Sequence, residues 1–364
     1  EEMSTPLLGL LLFRAPPKSQ VAETIRNLAD LGIATKIISG DNRYVTAHVA
    51  AQVGLNNTAP VTGDELSAMS NDALRYAVEQ TTVFAEIDPQ QKERIIHALQ
   101  QAGHAVGYLG DGINDAPALH LADVGISVDT AVDVARESAD MVLLRRDLDV
   151  LRRGVLAGRR TFANTLKYIS ITTSANFCYM VSMAVAAPLL PFLPLLPKQI
   201  LLNNFLSDIP SVAISTDNVD AEHLDVPQRW SISSVRRFMI IFGCVSSAFD
   251  ILTFTCLLWV FNAGESLFQT IWFQISLQTE LAVVLVLRTR RLFLRSHPSK
   301  LLLWSTVAIA AVGLGVPFLP GMNVLFGFVT PSWQLVTFSL AIVAAYVAAT
   351  EVTKKAFYYL DRPK

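Results

Sequence analysis

From Tyr168 to Thr350 the chain carries six apolar segments, at approximately 168–188, 198–215, 237–261, 267–287, 301–319 and 333–350. Most match the ~20 residues that a helix needs to cross a bilayer. No other feature constrains the fold as strongly, because in lipid each backbone N–H and C=O must be satisfied within the segment, and a helix does that. The second segment is short and polar, and hydropathy alone argues against it. Loop charge argues for it. Arg229, Arg236 and Arg237 follow the second segment, and Arg288, Arg290, Arg291, Arg295 and Lys300 follow the fourth. The opposite loops hold almost no basic residue beyond Lys198, and Lys354-Lys355 closes the last segment. Positive-inside bias then gives six spans with both ends cytoplasmic.

At 364 residues, 52% hydrophobic and 16% charged, with mean hydropathy +0.40, the whole is too apolar for an ordinary soluble protein. Yet residues 1 to about 145 read as a soluble α/β domain. Strands are expected at Leu7–Phe13, Ala34–Ile38, Val83–Ala85, His104–Leu109, Asp123–Val128 and Ala139–Leu144. Helices are expected at Ser19–Leu31, Tyr44–Val53, Asn71–Glu79 and Gln90–Gln101. This alternation predicts a doubly wound parallel sheet. The domain expectation is an α/β domain over 1–150, a stalk helix over 151–167 and six membrane helices over 168–364. The linker basic residues Arg145, Arg146, Arg152, Arg153, Arg159, Arg160 and Lys167 read largely as a solvated helix face. Cys178, Cys244 and Cys256 lie in apolar runs without metal-ligand spacing and read as small buried hydrophobes. The net charge of −2 identifies no partner, and no nucleic acid is expected. The chain opens on Glu1 without an initiator methionine, so a fragment is expected.

Chemistry concentrates in Gly110-Asp111-Gly112-Ile113-Asn114-Asp115-Ala116-Pro117-Ala118-Leu119. The two glycines permit a tight turn and close approach of a ligand. Asn114 or Asp115 can cap a helix that begins at Ala116-Pro117. The carboxylates of Asp111 and Asp115 then stand at the C-terminal edge of a strand, where hard oxygens suit Mg²⁺ and phosphate. Ser39-Gly40-Asp41 offers a hydroxyl and backbone N–H groups, and Lys92 a point charge for the same phosphoryl group. In isolation Ser-Gly-Asp is a common turn and Lys92 an ordinary solvated lysine.

The order Ser-Gly-Asp, then Asp88-Pro89-x-x-Lys92, then Gly-Asp-Gly-x-Asn-Asp resembles the haloacid-dehalogenase-type phosphorylation domain of P-type ATPases, the ion pumps that pass through an aspartyl-phosphate. The resemblance implies that Ser39 binds phosphate, Lys92 neutralises it, Asp111 ligates the catalytic Mg²⁺, and Asp115 and Asn114 support that metal site. It also implies ATP as substrate of a full-length pump. The family's phosphorylated aspartate lies in Asp-Lys-Thr-Gly-Thr, a string that does not occur here. Phosphoryl transfer through an aspartyl intermediate needs that nucleophile, so the chain alone is expected to be inactive, with the N-terminal part of the same pump as its partner. Ala15 stands where the family usually has Asp, and Ser39 where it usually has Thr.

Among polar residues inside the spans, Asn204 and Asp208 are four apart and share a helix face. Asn176, Asn203 and Ser207 are further candidates, with Asp250 and Glu280 in the third and fourth spans. Intramembrane carboxylates are costly enough that function is their default reading; for the asparagines, hydrogen bonding between helices competes with it. Pro194, Pro197 and Pro210 are expected to break the second helix and free carbonyls for a cation. The stretch Leu193–Asp208, together with Thr161–Ile169 and Thr216–Asp220, resembles the magnesium-transporting branch of the P-type family. That resemblance places Asn176, Asn204 and Asp208 at ion-site positions, with Ser207 and Glu280 as further transported-ion candidates. Tyr179 and Ile275 depart from it, the first where relatives offer Asn or Glu and the second where they offer Glu.

The function implied is that of the C-terminal part of a Mg²⁺-transporting P-type ATPase of the bacterial inner membrane. A Ca²⁺ or H⁺ pump of the same family, or a truncated non-catalytic membrane protein, remain the alternatives.

Overall fold

A computed structural model describes residues 16–18, 20–55, 59–145, 147–220, 222–225, 227–228 and 230–360. The strand expected at Leu7–Phe13, and Ala15, Ser19, Arg146, Arg229 and Lys364, lie outside the described residues. The chain divides into two compact units at Leu156/Ala157.

The first unit alternates helix and strand: α1 Val21–Asp30, β1 Ile37–Ile38, α2 Arg43–Gln52, β2 Val61–Thr62, α3 Gly63–Ala68, α4 Asn71–Gln80, β3 Val83–Ala85, α5 Pro89–Gln101, β4 Gly107–Leu109, α6 Ala116–Leu121, β5 Val124–Val128, α7 Asp133–Glu137 and β6 Met141–Leu143. All strand pairs are parallel, as βαβ connections require. The single doubly wound sheet expected from the alternation is not what forms among the described residues. They make two three-stranded sheets, ordered β1-β3-β2 and β4-β5-β6. The strands are also shorter than the apolar runs; His104–Val106 precede β4 as irregular chain, and Leu109 is exposed. One core packs Leu66, Leu74, Val78, Phe84 and Ile95 around the first sheet. A second packs Ile96, Tyr108, Ala118 and Leu119 beside the other. Helix α5 contributes to both through the adjacent Ile95 and Ile96, and so links the two sheets.

Local signals set the helix starts near the chemistry. Asp88 caps α5 through Gln91 N–H, Gln91 returns a bond to the Asp88 N–H, and Pro89 occupies the first turn. Before α6 the chain makes a 3₁₀ turn, Ile113–Asp115. Asp115 stands at the capping position but makes no cap bond with its side chain. That corrects the expected capping role, because its carboxylate is engaged elsewhere.

The second unit is helical: α8 Leu148–Ala186, α9 Pro197–Ala213, α10 Glu222–Asp225, α11 Ile232–Thr255, α12 Glu265–Leu287, α13 Lys300–Gly315, α14 Met322–Phe326 and α15 Trp333–Leu360. The helix expected from about Leu151 starts at Leu148 and runs through the first apolar segment without interruption. Five helices are long and apolar enough to cross a membrane by length and composition: α8, α11 with its continuation to Val260, α12, α13 with its continuation to Phe318, and α15. The second apolar segment forms α9, at 17 residues, which does not reach that length. The prolines do not break it. Pro197 sits in its first turn and Pro210 inside its last, where the lost N–H leaves only the Leu206 carbonyl without its usual helical donor. Helix α12 is the centre of this unit. Phe268, Ile271, Trp272, Phe273, Ile275 and Leu277 are fully buried along it, as expected of a helix enclosed by others. Helices α9, α11, α13 and α15 all pack against it.

Candidate functional site

Three loops leave the C-terminal ends of parallel strands in the first unit, and backbone bonds tie two of them together. After β1, Ser39 and Asp41 accept through their carbonyls from Ile87 N–H (3.0 Å) and Glu86 N–H (2.9 Å), the residues that follow β3. Glu86 adopts φ +57°, a conformation uncommon outside glycine. Its carboxylate accepts from the Arg43 N–H at 3.1 Å and pairs with the Arg43 guanidinium at 3.1 Å. Ser39 Oγ donates to Asp41 Oδ2 at 2.9 Å and accepts from Asp41 N–H at 3.1 Å. Gly40 and Asp41 are exposed, so the loop presents backbone to solvent.

The chain then passes through the Asp88 cap into α5, which carries Lys92 toward the third loop. Lys92 Nζ donates to Asp115 Oδ1 at 2.8 Å, with both side chains largely buried. The Tyr108 hydroxyl donates to the same oxygen at 2.8 Å, and Gly112 N–H to Oδ2 at 3.1 Å. Burial works against the Asp115 charge, but the Lys92, Tyr108 and Gly112 bonds outweigh it and hold the carboxyl below the usual carboxylate range. Burial, then Asp115 itself, pushes the Tyr108 phenol far above its ordinary value, so it stays a donor. Gly110 is required by the same packing: a Cβ there would meet the Asp115 Cβ at 2.6 Å. Asp111 and Asn114 are exposed, and neither side chain bonds to another described residue. The two expected Mg²⁺ carboxylates are therefore unequal. Asp111 is open to a hard cation, while Asp115 is committed to holding Lys92. No cluster of three or more acidic, His or Cys groups suited to a metal occurs among the described residues.

The model described as cation transporting ATPase, C-terminus matches residues 192–356, and that of haloacid dehalogenase-like hydrolases matches 1–123. The chain is 45% identical over 359 residues to magnesium-transporting ATPase, P-type 1, of Escherichia coli strain K12, covering 97% of this chain and 40% of that protein. It is 44% identical to the protein of the same name from Salmonella typhimurium strain 14028s, with the same coverage. The chain belongs to the P-type cation-transporting ATPases. It spans about 40% of the length of the curated relatives it matches.

In this P-type chain the expected cargo residues fall on two sides of α9. Asn204 and Asp208 do share a face, and it is exposed, together with Leu201, Phe205 and Val212. Asn176 is exposed on α8. Ser207 is buried, its hydroxyl bonded to the Asn204 carbonyl at 3.2 Å. Glu280 faces the buried side, where Asn203 Nδ2 donates to its Oε2 at 3.1 Å. The buried partners of Glu280 on α9 are thus Ser207 and Asn203, the latter marked by the sequence only as one of several polar residues. Asn203 Oδ1 has no donor among the described residues. Tyr179 and Ile275 are filled by packing: the Tyr179 ring stacks on Trp272 with centroids 6.0 Å apart, its hydroxyl accepts from Ser276, and Ile275 is 1% exposed.

Sequence reasoning also missed an ion cluster built on the stretch Thr216–Asp220. Asp217 is 1% exposed and accepts from Lys167 Nζ (2.8 Å), Arg288 Nη1 (3.3 Å) and Ser299 N–H (3.1 Å). Asp220 accepts from the hydroxyls of Thr289 (2.6 Å) and Ser296 (3.0 Å), which outweigh burial and lower its pKa. Asn164 donates to the Ser215 and Asp217 carbonyls, and Arg159 to those of Leu224 and Asp225. Two of the linker's basic residues, Arg159 and Lys167, therefore hold a loop rather than form a solvated face. The available signal was the pair of acids at 217 and 220 beside a basic helix.

Proposed function

We propose that this chain is the part of a Mg²⁺-transporting P-type ATPase that carries phosphoryl-site residues and cargo-binding helices. The kinship carries the reading: it runs through both units over 97% of the chain. In the first unit, the open Asp111 carboxylate and the Asn114 amide would hold the catalytic Mg²⁺, which supplies charge neutralisation at the transferring phosphoryl group when bound. Lys92, fixed by Asp115, is aimed as a point charge at the same group. Asp115 supports the metal site indirectly, by fixing that lysine. Ser39 Oγ and the exposed Gly40 and Asp41 backbone are the phosphoryl donors, and the hydroxyl must turn from Asp41 to the phosphoryl oxygens to serve. ATP is the substrate of the pump as a whole. The aspartate nucleophile comes from outside these 364 residues.

In the helical unit, Asp208 and Asn204 offer one carboxylate and one amide on an unpacked helix face. With Asn176 from α8, Ser207 and Glu280, they form the set proposed to bind the transported cation. Two carboxylates with amides and a hydroxyl suit Mg²⁺ that keeps part of its water shell. The proposed location is the bacterial inner membrane, with both ends of the chain on the cytoplasmic side and α9 as a sixth, short span. The test is Mg²⁺ uptake by cells that lack their other Mg²⁺ importers and express a pump containing this chain. Growth at limiting Mg²⁺ supports the reading. Failure to grow, with Ca²⁺-stimulated ATPase activity in purified pump, would assign the chain to another cation.

A further inference from the structure

A small polar cavity lies within the helical unit, and Glu280 of the proposed cation set is one of its walls. Its volume is about 30 Å³, and it is lined by Asp250 of α11, Glu280 and Ser276 of α12, Tyr179 of α8 and Tyr346 of α15. That is room for about one water, and far too little for a cation with a hydration shell. No lysine, arginine or histidine lines it.

Asp250 is 9% exposed, and all of its partners are neutral. Oδ2 contacts Ser182 Oγ at 2.6 Å and Cys178 Sγ at 3.4 Å, and Oδ1 accepts from Trp272 Nε1 at 3.1 Å. The titratable groups facing it are Cys178 and Tyr179 on α8, Glu280 on α12 and Tyr346 on α15, and none of them is a cation. An ionised carboxylate beside a water-sized cavity without a basic residue is an arrangement that desolvation opposes. Burial disfavours the charged form of Asp250 and no cation offsets it; the Ser182 hydroxyl beside Oδ2 can accept from an acid O–H, while Oδ1 stays the acceptor of the Trp272 N–H.

We propose that Asp250 is a proton-binding site of the helical unit, held as the neutral acid and exchanging its proton with water in the cavity it shares with Glu280. The short contact to Ser182 is then an acid O–H donating to a hydroxyl oxygen, and the Ser182 hydroxyl turns to Cys178 Sγ, 3.8 Å away. The assignment rests on the neutral partners of Asp250 itself.

The experiment is infrared spectroscopy of the protein reconstituted in lipid at neutral pH, in H₂O and in D₂O. The wild type minus Asp250→Asn difference should show the C=O stretch of a protonated carboxyl, shifted down in D₂O, with no loss in the carboxylate antisymmetric stretch. Glu280→Gln should keep that protonated band in full. Should Asp250→Asn fail to fold, the Glu280→Gln protein still decides, through a D₂O-sensitive protonated carboxyl band that survives removal of the only other carboxyl lining the cavity. Loss of carboxylate intensity in the Asp250→Asn difference, or loss of the protonated band in Glu280→Gln, overturns the proposal.

Discussion

Replacing Asp217 by Asn should be among the most destabilising single changes available in the helical unit. The side chain keeps its shape and an acceptor oxygen for Ser299 N–H, so packing is preserved and the charge alone is lost. Lys167 and Arg288 remain, with side chains 11% and 1% exposed, and Arg288 Nε already has no acceptor among the described residues. Removing one partner of a buried ion pair leaves uncompensated charge and costs about 3–5 kcal/mol. For a unit of this size that corresponds to roughly 6–20 °C in Tm. The assay is thermal or denaturant unfolding of the protein in mild detergent, followed by tryptophan fluorescence, with Lys167→Met measured alone and with Asp217→Asn. The double variant should recover part of the loss, because one of the two stranded cations is gone; the coupling should be about 0.5–3 kcal/mol. A loss below about 1 kcal/mol for Asp217→Asn, with no coupling to Lys167, would show that water reaches the cluster and that the burial argument fails.

Asp115→Asn should destabilise the first unit at neutral pH, and the gap to wild type should close in acid. The folded carboxyl titrates below its unfolded value of about 3.9, so its contribution is complete above that pH and is lost as pH falls through the folded value; a gap that widens in acid refutes the sign. In a pump containing this chain, Asp208→Asn should lower cation-stimulated turnover at least about tenfold, roughly 1.4 kcal/mol, with a smaller effect for Glu280→Gln, and wild-type transport by Asp208→Asn would place the cation elsewhere. The chain alone should take up no acid-stable ³²P from ATP, since it holds no Asp-Lys-Thr-Gly-Thr string, and incorporation would mean another carboxylate serves. Reporter fusions near Pro194 and Gly321 should lie opposite fusions near Arg291 and Lys364; agreement between Arg291 and Gly321 contradicts six spans.

The sequence by itself determined where each kind of structure lies. Apolar runs near bilayer length can only be helices, and α8, α11, α12, α13 and α15 follow them. The turn chemistry of Asp88-Pro89 and of Gly110 through Pro117 is local, so the loops that carry Lys92, Asp111 and Asp115 were legible residue by residue. Only the tertiary structure decided what those side chains touch. Asp115 reads as a helix cap or metal ligand until Lys92 and Tyr108, 23 and 7 residues away, converge on one of its oxygens. Asn203 and Asn204 are neighbours in sequence, yet one is buried against Glu280 and the other is exposed. The α9 pattern carries polar residues on both sides, so periodicity could not say which side meets α12. Asp217, Lys167 and Arg288 are 50 and 71 residues apart. Charge lists treat such residues as solvated, and burial between packed helices is what turns them into one cluster. Periodicity and turn chemistry act over a few residues and can be read from a string, whereas desolvation depends on which distant surfaces meet.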